Sequence, residues 1–265
     1  MIAAAMGVWF LSSDAPPPAP PAPKIVTTQP VAPEPDAPAT PAPANPQAES
    51  ALEDRLRQAA EYQPYFARLR ALYPNDWTEA LRAAAAQGVQ NRDDAADLFL
   101  AESMRLLRQT RGRAGAKAGG PSLDRLFDLH LKVLRELAGA DASLCVDFLN
   151  GAPTERFTAF SAGHRAVMAD EALAGLDAIE DGAVKKIDRE PPGAADFDDL
   201  EKALRARGLS KDAIDLLLDA KQPNPPISDD QACKNGVIYL DTLKNLPDLQ
   251  RLRLYALAIE VMSHE

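Results

Sequence analysis

The stretch Ser122-Leu123-Asp124-Arg125-Leu126-Phe127-Asp128-Leu129-His130-Leu131-Lys132-Val133-Leu134-Arg135-Glu136-Leu137 decides the fold class. Leu123, Phe127, His130, Leu134 and Leu137 recur at intervals of three and four residues. On a helix of 3.6 residues per turn they form one side, and the charged residues fall on the other. A strand would need alternation at every second residue, and the body of the chain has almost none. Ser122 stands where a helix N-cap belongs.

The same pattern extends in both directions. Residues 48–72 place Leu52, Leu56, Ala59, Phe66 and Leu69 inward on one charged helix, kinked near Pro64 and stopped by Pro74. Asp76 then reads as the cap of a short helix reaching Gln87, before Gly88. Residues 93–111 carry the stripe Ala96, Phe99, Leu100 and Leu107. C-terminal to the opening stretch, Cys145, Phe148 and Leu149 form a short helix ended by Asn150-Gly151. Thr154 opens a long segment through Phe157, Phe160, Val167, Leu173, Leu176 and Ile179, closed by Gly182. Asp196, Ser210 and Ser228 read as caps of three more helices, Ser228-x-x-Gln231 as a capping box. The last helix, after Pro247, is apolar on two faces, so it is either central or covered by a second copy of the chain. The expected fold is therefore all-α, an irregular bundle of about nine or ten helices over residues 48–265. Pro191-Pro192-Gly193 marks a sub-boundary near residues 190–195.

Before this body the composition breaks. More than half of the chain's 23 prolines fall in residues 16–46. Proline fixes φ and lacks an amide donor, so residues 14–47 are expected to form a disordered Pro/Ala-rich linker. Extended at about 3.1 Å per residue, it would reach on the order of 100 Å. Its PxxP spacings have Lys24 as their only basic neighbour, which favours a spacer over a ligand for proline-binding domains. The opening, Met1 to Leu11, is apolar but shorter than the roughly 20 residues a spanning helix needs. Residues 1–13 are expected to be the end of a signal-like anchor that begins upstream, with the helical domain on the periplasmic side of a bacterial inner membrane.

A net charge of −10 opposes nucleic-acid binding, which needs a cationic surface to release counterions. The one basic patch is Arg105, Arg108, Arg111, Arg113 and Lys117, beside the glycine-rich run Gly112 to Gly120. That run lacks phosphate-loop spacing and reads as a solvated loop. The sharper reading is docking to an anionic envelope surface or an acidic protein partner. Cys145 and Cys233 are the only cysteines and belong to no CxxC pair, so they form a candidate disulfide rather than a zinc or dithiol site. No metal or cofactor pattern is present: His130, His164 and His264 stand apart, and the first two lie on apolar stripes where a hydrogen-bonded core histidine is expected. Ala159-Phe160-Ser161-Ala162-Gly163 partly matches a nucleophile elbow but has helical flanks.

Two motifs carry a resemblance. Tyr65-Phe66-x-x-Leu69-x-x-x-Tyr73-Pro74-x-Asp76-Trp77 and Leu144-Cys145-x-x-Phe148-x-x-Gly151 resemble a pattern in uncharacterised membrane-anchored α-helical proteins of proteobacteria. The resemblance covers residues 65–151 and implies membrane placement and a helical fold, but no activity. Lipase-specific foldases share the plan of anchor, Ala/Pro-rich linker and helical body, but their Arg-x-x-Phe-Asp-Tyr motif has no counterpart here. Two functions fit. One is a membrane-tethered periplasmic binding or scaffold module. The other is an envelope enzyme acting on wall glycan, with Glu102 of Glu102-Ser103 as its acid, as in lytic transglycosylases.

Overall fold

Residues 45–151 and 154–263 are described in a computed structural model, and every element among them is helical. In chain order these are α1 (Pro46–Arg57), α2 (Gln63–Leu72), α3 (Pro74–Ala86), α4 (Ala95–Gly115), α5 (Gly120–Ala140) and α6 (Ala142–Leu149). Then follow α7 (Glu155–Gly163), α8 (Arg165–Lys185), α9 (Ala194–Ala206), α10 (Lys211–Asp219), α11 (Asp229–Lys244) and α12 (Asp248–Met262). Short 3₁₀ turns occupy Ala60–Tyr62 and Val89–Asn91. The anchor-like opening, the PxxP spacings, the linker up to residue 44 and His264 lie outside the described residues.

The described helices number twelve, two more than the upper expectation, because two expected helices are each broken. Pro64 does not kink a helix over 48–72 but starts a new one, in the first turn where its missing amide costs nothing. Gln63 bridges the break, its Nε2 donating to Leu56 O in the last turn of α1 at 2.7 Å and to Ala59 O just beyond it at 3.1 Å. The segment after Thr154 breaks at His164, with Nδ1 2.8 Å from Phe160 O. α1 begins at Pro46, inside the stretch assigned to the linker, with Asn45 Oδ1 accepting from Ala48 N.

Three expected caps belong elsewhere. Asp76 lies inside the first turn of α3 and is buried against an arginine of α4. Ser122 lies inside α5, which is capped from another helix: Asp181 Oδ2 accepts from Gly119 N at 2.7 Å and from Ser122 Oγ at 3.0 Å. Asp196 sits a turn into α9 and reaches back to the Gly193 amide at 2.8 Å. Thr154, Ser210 and Ser228 cap as their sequence positions require. The Ser228 box is half formed, since the Gln231 amide group goes to Asn235 instead.

The core is continuous from α1 to α12. α8 packs against both α4 and α5; α1 to α3 cover one side of α4, and α12 crosses α4 and α5. Leu123, Leu134 and Leu137 are fully buried, as their spacing demands. α4 and α8 meet at Gly182, where a Cβ would stand 1.8 Å from Ala114 O. The expected loop Gly112 to Gly120 is mostly helix for the same reason. Gly112 and Gly115 lie inside α4 and face Ser263 and Ile259 at the end of α12. On α12, Leu254, Tyr255, Ala256, Ala258 and Ile259 are buried within the chain, Leu252, Leu257 and Val261 are half-buried, and Leu249 is 65% exposed. The helices beyond Pro191-Pro192 return to this core through α11 against α5 and α6.

Candidate functional site

The basic residues singled out from sequence share one helix and the turn after it, but several are already engaged. Arg111 grips the buried Asp76 through Nε and Nη2, the shortest contact being 2.6 Å, and lies 4.3 Å over the Tyr73 ring. Thr110 adds a hydrogen bond to the same carboxylate at 3.1 Å. Arg105 holds Glu102 through Nε at 2.9 Å and Nη2 at 2.5 Å. Lys117 pairs with Asp188 at 3.0 Å. Arg108 and Arg113 also have partners. The patch is thus a row of cations with acidic or other partners, and Arg111 in particular ties α4 to α3. Glu102, the candidate acid, is a carboxylate clamped by its neighbour one helical turn away.

The deeper polar groups hold helices together. Asp97 is 3% exposed and accepts from Tyr62 Oη at 2.7 Å and from Arg165 Nε and Nη2 at 3.1 and 2.7 Å, joining the first 3₁₀ turn, α4 and α8. Burial and the Asp97 contact raise the Tyr62 phenol well above its ordinary value. His130 is hydrogen-bonded as expected but half-buried, with Nδ1 2.7 Å from Glu171 Oε1 and its ring stacked on Phe148 at 4.6 Å. Glu171 Oε2 is buried with no partner. His164, expected in the core, is instead exposed at the break between α7 and α8, its ring stacked on Phe160 at 3.9 Å. Ser161 is buried within α7 and its hydroxyl donates to Phe157 O at 3.0 Å, a helical position and not a strained elbow. Among the described residues no three His, Cys, Asp or Glu side chains are grouped to hold a metal ion.

Cys145 and Cys233 have sulfurs 2.05 Å apart, at disulfide distance, linking α6 to α11 across 88 positions of sequence. Both are buried. Gly236, one turn on, lets α6 come close: a Cβ there would meet Leu149 at 2.4 Å.

Cavities open on the described surface at two places that bear on the site. One of about 370 Å³ lies among α1, α2 and α3, with Phe66 and Trp77 at its base. Arg70 closes it, 4.3 Å over the Trp77 ring and 2.6 Å from Glu53. The other, about 260 Å³, lies where the turn after α4, the connection from α8 to α9 and α12 converge. Lys117 is the one patch residue on its wall. Arg189 is there too, and sequence reasoning passes over it because Asp188 and Glu190 flank it and make it look neutralised. The fold sends both acids elsewhere, to Lys117 and Arg253.

Comparison of the chain with protein-family models, with curated proteins and with solved structures gives no match.

Proposed function

We propose that the chain is a tethered binding module of the bacterial cell envelope, a helical body presented on the periplasmic side of the inner membrane by its proline-rich stretch. Its work is to engage a partner rather than to turn over a substrate. The cysteine pair is the observation that carries this reading. The chain has only two cysteines, and both arrive buried at disulfide distance on helices far apart in sequence. Such bonds persist in oxidising compartments and are rare where thiols are kept reduced. Among the described residues no helix is long and apolar enough to cross a membrane, so attachment in this reading falls to the apolar stretch Met1 to Leu11.

The ionic arrangement favours binding over catalysis. Glu102, the acid of the enzyme reading, is paired with Arg105 one helical turn away, an arrangement ordinary on a solvated helix face. Fractionation of cells expressing the full chain, followed by protease treatment of spheroplasts, tests the placement. The reading expects membrane-bound protein that external protease degrades; protease-resistant protein in the cytosolic fraction contradicts it. Crosslinking in intact cells would then identify the partner, and Glu102→Gln is expected to capture it as wild type does.

A further inference from the structure

Arg189 stands apart from the arginines that anchor this fold. Arg68, Arg105, Arg111, Arg165 and Arg251 each meet a carboxylate. The acceptors of Arg189 are two main-chain carbonyls at the end of α4, Ala116 O at 2.9 Å from Nη1 and Ala118 O beside Nη2. Its sequence neighbours are committed elsewhere: Asp188 lies 3.0 Å from Lys117, and Glu190 lies 3.0 Å from Arg253. Burial without a counter-charge holds the Arg189 pKa below the ordinary arginine value.

The guanidinium lines the cavity of about 260 Å³, whose apolar walls include Ile187, Pro191, Pro192 and Leu257. Two of its N–H groups are fixed by the carbonyls, which orients the fork and leaves other donors for an acceptor. We propose that this cavity binds a small monocarboxylate with a short hydrocarbon body, its carboxylate on Arg189 and its chain against Ile187, Pro191 and Leu257.

Of the three cations on the wall, Lys117, Arg189 and Arg253, only Arg189 meets no carboxylate. Lys117 pairs with Asp188, Arg253 is shared between Glu190 and Asp196, and Glu260 brings the acids of the wall to three against three cations. The carbonyl end of α4, worth roughly half a negative charge, offsets part of the guanidinium. A wall with no net positive charge disfavours phosphate, and it takes a carboxylate through the oriented Arg189 donors alone. The apolar walls add selectivity, since each buried methylene contributes roughly 0.8 kcal/mol. This site goes beyond the tethered-module reading and stands or falls independently of where the protein resides.

Titrating the full chain with hexanoate, hexanol and hexylammonium, followed by NMR of the Ile187 methyls and the Arg189 side-chain N–H, tests the proposal. Hexanoate is expected to shift both signals saturably, with the alcohol and the amine at least about tenfold weaker, as loss of a charge-assisted contact implies. Arg189→Gln should abolish the preference, but it also removes a cap from α4. Ile187→Glu and Ile187→Lys leave that cap in place. The Glu variant should weaken hexanoate at least about tenfold by repulsion, and the Lys variant should retain it. Equal affinity for hexanol, no saturable shift, or an Ile187→Glu variant that binds as wild type would overturn the proposal.

Discussion

Gly182 has no room for a methyl group: its Cβ would sit 1.8 Å from Ala114 O and 2.7 Å from the carbonyl carbon, both backbone atoms that move only if α4 and α8 separate. Gly182→Ala should therefore cost about 3 kcal/mol or more, seen as a lowered denaturation midpoint with an unchanged m-value. Gly139 is the control. It is exposed near the end of α5 with nothing within 4 Å of its Cβ position. There alanine should stabilise by roughly 0.5–1 kcal/mol through the backbone entropy glycine loses on folding. Equal effects at the two sites would show that α4 and α8 do not cross where described. The difference between these glycines is invisible in sequence. Gly112 to Gly120 suggests a loop because glycine breaks helices on average, yet Gly112 and Gly115 serve as contact points inside α4. Asp76 likewise sits where a cap could stand, and only tertiary packing brings Arg111 to it.

At the scale of elements, the helices whose ends are satisfied locally are those legible in advance. Thr154, Ser210 and Ser228 cap the helices they immediately precede. Ends satisfied from a distance are not legible: Asp181 caps α5 from α8, and Arg189 takes the last carbonyls around α4 from beyond α8. The apolar period runs unbroken through 48–72 and 154–182 and so carries no mark of either break, where Gln63 and His164 hydrogen-bond to the carbonyls of the preceding turn. The Asp181 cap makes a pH-dependent prediction. The Lys185 ammonium holds the Asp181 carboxyl below its ordinary 3.8, helped by the Gly119 amide and the Ser122 hydroxyl and opposed by desolvation. A carboxyl lowered in the folded state contributes stability that is present above about pH 4 and is lost as pH falls through the folded value. Asp181→Ala should cost about 1–2 kcal/mol near neutrality, and the loss should shrink below about pH 4, where wild type loses the same contact. A loss constant across that range would contradict the assignment.

The molecule as a whole rests on a buried core rich in leucine and tyrosine and on one covalent link. Tyr62, Tyr65, Tyr239 and Tyr255, four of the five tyrosines, are buried, and burial raises the phenol of each. Tyr239 is pushed up to about 12. A phenol raised in the folded state stabilises below its unfolded value near pH 10, and that stability is lost as pH climbs toward the folded one. Above about pH 10, phenolate absorbance and loss of helical circular dichroism should therefore appear in one transition. Tyrosines that titrate freely in a still-helical protein would contradict the described core. The Cys145–Cys233 link closes a span of 88 positions, which the chain-entropy model values at roughly 4–5 kcal/mol. Its reduction should lower the melting temperature by roughly 10 °C. Helical class and this pairing were both open to sequence, because period and a count of two cysteines are local or global properties of the chain. The cavity beside Arg189 was not, since it depends on which of several acids each cation meets. The tethered-module account is tested most directly by alkylating thiols in living cells at harvest and weighing the intact chain before and after reduction. The account predicts no alkylated cysteine until reductant is added and two afterwards; two alkylated cysteines in the unreduced protein would contradict it.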